Sequence, residues 1–257
     1  MNGEGAGRGR RRRGRGGASA TVPKRKTDYR NLKNPFPTME VFPEDRVADM
    51  HATSLQVLQE LGIRVLLPEA REIFARGGAR VDSSTDMIYI GSDMVEAALA
   101  SAPQSITGRA GDRSRDVLLE LGSLVFQPGA GAPHATDLKR GRRAGSEKDF
   151  RELVQLTQHF DVLHMLPPLI EPLDVPTHLR HYATMKAQLT LSDKFPFIFS
   201  RGTPQVMDSF ELLRDFRGLS DEAFYAEPHA YTIINTNSPR TLDVPMAQGL
   251  IDFARAG

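Results

Sequence analysis

The sequence predicts an α/β protein built on a parallel sheet, and three observations predict it. Short apolar runs fall at residues 162–166, 197–200 and 230–234, about 34 residues apart. Helical stretches at 176–191, 204–216 and 242–256 alternate with them. Each run ends in a polar or turn residue, then a loop, then a helix, and such repeated units predict parallel strands joined by right-handed crossovers. A (β/α)8 barrel and an open α/β sheet both satisfy this rhythm. In either one the loops after the strands carry the site.

Composition bounds the class. The chain has 257 residues, 40% hydrophobic and 25% charged, as in soluble globular proteins. That length suits one large domain or two small ones. There is no cysteine, which excludes disulfides, Cys-ligated zinc, a thiolate nucleophile and iron–sulfur ligation from within this chain. No apolar run approaches the roughly 20 residues that span a bilayer. No secretory signal is readable, so a cytoplasmic location is expected. The net charge of +1 conceals two parts. Residues 1–30 hold ten of the 33 Lys and Arg and two of the 32 Asp and Glu; the remainder has 23 basic and 30 acidic residues, a net of −7. The Gly/Arg-rich start cannot bury a core and is expected to be disordered. Its charge implies a weak nucleic-acid contact through residues 8–15, although it has no aromatic to stack on bases.

Ahead of the repeated units the pattern is different. Val47, Met50, Leu55, Leu58 and Leu61 mark one face of a helix, and Gly62 caps it. A short helix starts at Pro68, buries Ile73 and Phe74, and ends at Gly77-Gly78. Val81 and Met87–Ile90, joined by a turn-rich stretch, predict a hairpin. Ser92 or Asp93 caps a helix through Ala102, and Pro103 ends it. Residues 115–127 predict a strand broken at Gly122, and Ala135–Ala144 a polar, turn-like stretch. Ser146 with Asp149 opens a helix whose apolar face holds Phe150, Leu153, Val154 and Leu156.

The loops after the strands are residues 127–131, 167–171, 200–202 and 235–239. Glu171 is a carboxylate placed to pair with a cationic substrate, or a solvated loop acid. Phe126, Phe199 and Tyr231 lie in or near strands, where aromatic faces attract a quaternary ammonium group by about 0.5–2 kcal/mol each; core packing explains any single one of them as well. Asn235-Thr236-Asn237-Ser238-Pro239 offers amides and hydroxyls to a ligand, or a turn that caps the next helix. His134 follows the Gly-rich loop and stands near a site position. His178 and His181 share a helix face without an obvious third metal ligand. There is no dinucleotide fingerprint, phosphate-binding loop, HExxH or GxSxG motif.

The string from Asn235 to Asp243, with Met246 and Gly249, resembles a signature of the trimethylamine methyltransferase family. So do the stretch from Asn34-Pro35-Phe36-Pro37 to Gly62-Ile63, Pro68-Glu69-Ala70 with Gly77-Gly78-Ala79, and the block from Gly129 to Asp137. The resemblance runs from about residue 30 to the end. It implies a partial (β/α)8 TIM-type barrel over residues 113–257 after a lead-in of α+β type over 31–112, and it leaves out the Gly/Arg-rich tail over 1–30, whose expected disorder rests on composition. On this resemblance the barrel stops before it closes, and the chain is a fragment or a natural truncation.

The resemblance implies methyl transfer from a quaternary or tertiary methylated amine to the Co(I) corrinoid of a partner protein, in one-carbon metabolism of the methanogenesis type. The cobalamin is carried by the partner and none is bound tightly by this chain. Whether the subclass uses pyrrolysine is undetermined. The substrate contacts expected at strand ends are Phe126, Gln127, Glu171, Phe199, Asn235 and Asn237. No acid–base residue is named, because the chemistry does not require one. A homo-oligomer is compatible with this reading. Two alternatives stand beside it: a non-catalytic interaction protein or remnant with a nucleic-acid-binding tail, and a barrel enzyme of other chemistry such as a pterin-dependent methyltransferase.

Overall fold

The computed structural model describes residues 28–37 and 39–256. Residues 1–27 of the segment expected to be disordered, with its nucleic-acid contact at residues 8–15, lie outside them; Tyr29 and Arg30, counted with that segment, are instead held to the body through His164, Ser114 and Asp161. Strand β1 (Leu32–Lys33) precedes helix α1 (Glu44–Gln56), which continues through a π turn to Leu61. The apolar face read from Val47, Met50 and Leu61 forms, but no residue of the helix is buried. Next come β2 (Ile63–Val65), α2 (Pro68–Arg76), the antiparallel hairpin β3 (Arg80–Asp82) and β4 (Met87–Tyr89), and α3 (Ser92–Ser101). Helix α2 buries Ala70 and leaves Ile73 at the surface, contrary to the sequence reading. Ala70 and the Phe74 flank pack against the core that this helix shares with the last helix of the chain.

Strands β5 (Ile106–Gly108) and β6 (Val117–Leu119) pair antiparallel, and β7 (Ser123–Leu124) pairs with β1. Gly108 lies against the ring of Phe195, where any Cβ would collide. The stretch 135–144 is a correction to the polar turn expected from sequence. It is a hairpin, β8 (His134–Asp137) and β9 (Gly141–Ala144). The Asp137 carboxylate accepts from the amides of Lys139 and Arg140 and makes the turn, with Gly141 at positive φ. Those hydrogen bonds also hold its pKa well below the ordinary carboxylate value. The hairpin leads into α4 (Glu147–His159), where Ser146 Oγ accepts from the Asp149 amide as the cap expected from sequence.

The parallel unit follows. β10 (Met165–Leu166) and β11 (Phe195–Pro196) pair parallel, with α5 (Arg180–Leu191) between them. Helices α6 (Thr203–Arg217) and α7 (Asp221–Tyr225) lie between β11 and a parallel bridge from Phe197 to Tyr231. A second parallel bridge joins Ala132 to Ile170. Four extended segments are therefore neighbours in chain order. The runs read as strands at 197–200 and 230–234 contribute single bridges rather than ladders. The described residues form a mixed α/β protein with eight α-helices and small sheets, and no closed barrel. No described helix is long and apolar enough to cross a membrane.

His164 fastens the first two segments. Its amide donates to the Phe126 carbonyl at 2.8 Å, and the Phe126 amide donates to its Nδ1 at 3.0 Å. Nδ1 is thus the acceptor, so Nε2–H faces the Tyr29 carbonyl at 3.1 Å. The last elements return to the start of the chain. β12 (Thr241–Leu242) pairs parallel with β2, and α8 (Val244–Arg255) packs on α2. Leu242, Ala247 and Ile251 share one buried cluster with Val65, Ala70 and Ile88.

Truncation of Leu242 to alanine is expected to cost about 2–5 kcal/mol of unfolding free energy, read from urea denaturation. A second expectation concerns pH. Burial holds the pKa of His164 and of His229 below the ordinary imidazole value. Both stay neutral in the fold at a pH where the unfolded chain already takes up protons. Stability is then full above about pH 6.5 and falls as pH drops below it. The urea midpoint should fall between pH 7.5 and 5.5, and should fall less in His164→Asn.

Candidate functional site

Side chains alternate along an extended segment, and the helices show which face is which. Leu166 is buried with Phe150 and Val154 of α4 and Ala187 of α5. Ile198 is buried with Met185 of α5 and Val206, Phe210 and Leu213 of α6. Ile234 packs beneath α8. These residues mark the helix-covered face. Their neighbours Met165, Phe195, Phe197, Phe199, Tyr231, Ile233 and Asn235 fall on the opposite face. Met165 and Phe195 form a separate cluster there with Val117, against which Tyr231 packs.

The aromatic rings on this face touch in sequence. Tyr231 stacks on Phe195 at 5.4 Å and meets the edge of Phe197 at 5.3 Å. Phe197 meets Phe199 edge-on at 5.0 Å. The Arg201 guanidinium lies over the Phe199 ring at 4.2 Å, a cation–π contact. Arg201 is paired with Glu171, whose other oxygen is 3.4 Å from Arg180. A continuous path of contacts thus runs from Tyr231 to a carboxylate held by two guanidinium groups. Glu171 is mostly buried, while Arg201 is 41% exposed.

The Tyr231 hydroxyl donates to Gln127 Oε1 at 2.6 Å. That bond orients the carboxamide and leaves its NH2 as a donor to a ligand. Burial pushes the Tyr231 phenol well above its ordinary value, so it stays protonated. The backbone amide Phe197 N–H donates to Gln188 Oε1, and Gln188 Nε2 donates back to the Phe197 carbonyl. A buried side chain of α5 therefore fixes the strand position that carries the central ring.

The residues expected from sequence separate into three groups. Gln127, Glu171 and Phe199 come together on the aromatic face through Tyr231 and Arg201. Asn235 lies on the same face, exposed, with no side-chain hydrogen bond to the described residues. Phe126 is set apart, its ring stacked on His164 at 6.3 Å. Asn237 is occupied in a turn: its amide and carbonyl pair with Thr241, and its Nδ2 donates to Asp243, the N-cap of α8. His134 sits exposed in β8, with Arg142 NH2 at 3.4 Å from its Nδ1. His181 is buried against Asp208 rather than on a helix surface. Among the described residues no cluster of three or more His, Asp or Glu is placed to hold a metal.

Arg201 and Arg180 were missed from sequence. Arg201 stands in a loop the strand–helix rhythm already marked as site-bearing, directly after Phe199-Ser200, and that position was the available signal. Tyr231 was readable as an aromatic near a strand, but its contact with Gln127 spans 104 residues and carries no local signature.

The family model for trimethylamine methyltransferase (MTTB) matches residues 6–257. The chain is 28% identical to a glycine betaine methyltransferase of Desulfitobacterium hafniense, over 86% of this chain and 46% of that protein. It is 26% identical to the trimethylamine methyltransferase MttB of Methanosarcina barkeri, over 85% of this chain and 45% of that protein. It is 27% identical to an L-carnitine:corrinoid methyltransferase of Eubacterium limosum, over 60% of this chain and 31% of that protein. The chain spans under half the length of these relatives.

Removing the Tyr231 hydroxyl in Tyr231→Phe is expected to cost about 0.5–1.5 kcal/mol of stability. Tyr231→Ala, which empties the ring's place between Phe195 and Phe197, is expected to cost about 3–5 kcal/mol. Urea denaturation of the two variants checks whether the ring or the hydroxyl dominates.

Proposed function

We propose a function from one premise: the chain belongs to the trimethylamine methyltransferase family. The whole protein moves a methyl group from a methylated quaternary amine to the Co(I) corrinoid carried by a partner protein. The observation that carries this reading is the aromatic path ending at Arg201. The finer choice among amines follows from charge. Two guanidinium groups share one carboxylate at Glu171, so the mouth keeps a net positive charge. Two like unit charges about 6 Å apart repel by about 3 kcal/mol at an effective dielectric of 20. One aromatic face returns about 0.5–2 kcal/mol to a bound cation. A simple ammonium ion is therefore disfavoured beside Arg201. A zwitterion solves this, with its carboxylate on Arg201 and its quaternary nitrogen against the rings. The favoured substrate class is a carboxylated quaternary amine of the betaine type.

The partner's reduced corrinoid supplies the nucleophile. The electron pair of the breaking C–N bond stays on nitrogen, which leaves as a neutral tertiary amine, and no proton has to be delivered. The chain's own task is to orient the amine and shield it from water. Tyr231, with Gln127 bound to its hydroxyl, serves the cationic end, and Arg201, held over Phe199 at the other end of the aromatic path, serves the anionic end. Exposed Ile233 and Asn235 leave the far edge of this face open to a partner-borne acceptor, which fits an acceptor that arrives on another protein.

The test uses the whole protein with its corrinoid protein reduced to Co(I). Adding glycine betaine is expected to discharge the Co(I) absorbance, and trimethylamine is not. No discharge across a panel of methylated amines defeats the reading. Arg201→Met should lower kcat/KM for the carboxylated amine by roughly tenfold to a hundredfold, the worth of one charge-assisted hydrogen bond.

A further inference from the structure

We propose that the β8–β9 hairpin is the docking element for an acidic surface of the corrinoid-carrying partner; this rests on the function proposed above. The hairpin is rooted at the site. The Glu171 amide donates to the Ala132 carbonyl at 2.9 Å, the Gly145 amide to Pro133 at 3.0 Å, and the Leu173 amide to Gly145 at 2.9 Å. A side chain at Gly145 would collide with the Glu171 carbonyl. The two ends of the hairpin therefore clasp the segment whose carboxylate holds Arg201.

Its inner arginines are used to hold it in place. Arg140 pairs with Asp137 at 2.7 Å and with Glu152 of α4 at 2.6 Å. Arg143 pairs with Asp137 at 2.9 Å and with the buried Asp149. The tip is different. Leu138 is wholly exposed, and Lys139 and Arg142 make no ion pair with the described residues. A positively charged tip with an apolar centre thus projects from a hairpin whose roots adjoin Glu171, while the chain beyond residue 30 carries a net charge of −7. Unneutralised cations steer an acidic partner and fix its orientation, and a projecting apolar side chain supplies contact area on arrival. The tip has no aromatic to stack on bases, which favours a protein surface over a nucleic acid.

The experiment uses the whole protein carrying Lys139→Glu with Arg142→Glu, and separately Leu138→Ser. The acceptors are its corrinoid protein reconstituted with cobalamin, and free cob(I)alamin. The expected result for the double variant is at least a tenfold rise in KM for the corrinoid protein. Its KM for the amine and its rate with free cob(I)alamin should not change. The wild-type KM for the corrinoid protein should rise between 50 and 300 mM salt, and that dependence should flatten in the double variant. Unchanged KM and unchanged salt dependence overturn the proposal. Equal loss with both acceptors also overturns it, because the hairpin then supports the site rather than the partner. Calorimetric titration with the corrinoid protein separates the two proposals. If the wild type transfers no methyl group to either acceptor yet binds the corrinoid protein and the double variant does not, the function fails and the docking stands.

Discussion

Alternation of side chains along the parallel segments is the constraint on which the rest depends. Leu166, Ile198 and Ile234 enter apolar clusters that helices cover. Once those residues are committed to one face, the intervening residues have to take the other. Phe195, Phe197, Phe199 and Tyr231 thus gather without any of them being selected by its neighbours in sequence. A register slip of one residue would exchange the two sets and place four aromatic rings under the helices. The Gln188 clamp on Phe197 opposes that slip with two hydrogen bonds from within the core.

Charge is organised differently at the site and around it. Asp149 is buried and its pKa is held below the ordinary value, chiefly by Arg143. It closes a local network in which arginines and carboxylates are nearly matched. At Glu171 two arginines meet one carboxylate. The network at Asp149 positions the hairpin, and the imbalance at Glu171 leaves a cation turned toward the aromatic face. Both rest on one stretch of chain, since the hairpin's ends and Glu171 are joined by backbone hydrogen bonds.

The two ends of the described chain support each other. The Arg240 guanidinium donates to the carbonyls of Leu61 and Gly62 at 2.7 and 2.6 Å, and β12 extends the sheet begun by β2. The turn at 235–240 is therefore shaped from below by the lead-in and from within by Asn237 and Asp243. This accounts for a string of small polar residues there without a ligand for each one. Asn235, exposed and without a side-chain hydrogen bond to the described residues, is the member left on the aromatic face.

The helices at 147–159, 203–217 and 244–255 and the spacing of the extended segments between them were legible in the sequence, as were the loops that carry the candidate site residues. Periodicity, caps such as Ser146 and breakers such as Pro103 are local signals, and local hydrogen bonding obeys them. The hairpin at 134–144 was misread because arginines carry little strand preference, and its turn is made by the Asp137 side chain rather than by a glycine pair. Gln127, Glu171 and Phe199 could be named as loop or strand-end residues. That Tyr231 holds Gln127, that Arg201 lies on Phe199, and that Phe126 turns away toward His164 were decided only by tertiary structure. The physical reason is distance along the chain. Which face a residue takes is set by the helix that covers its neighbour, and that helix is encoded tens of residues away.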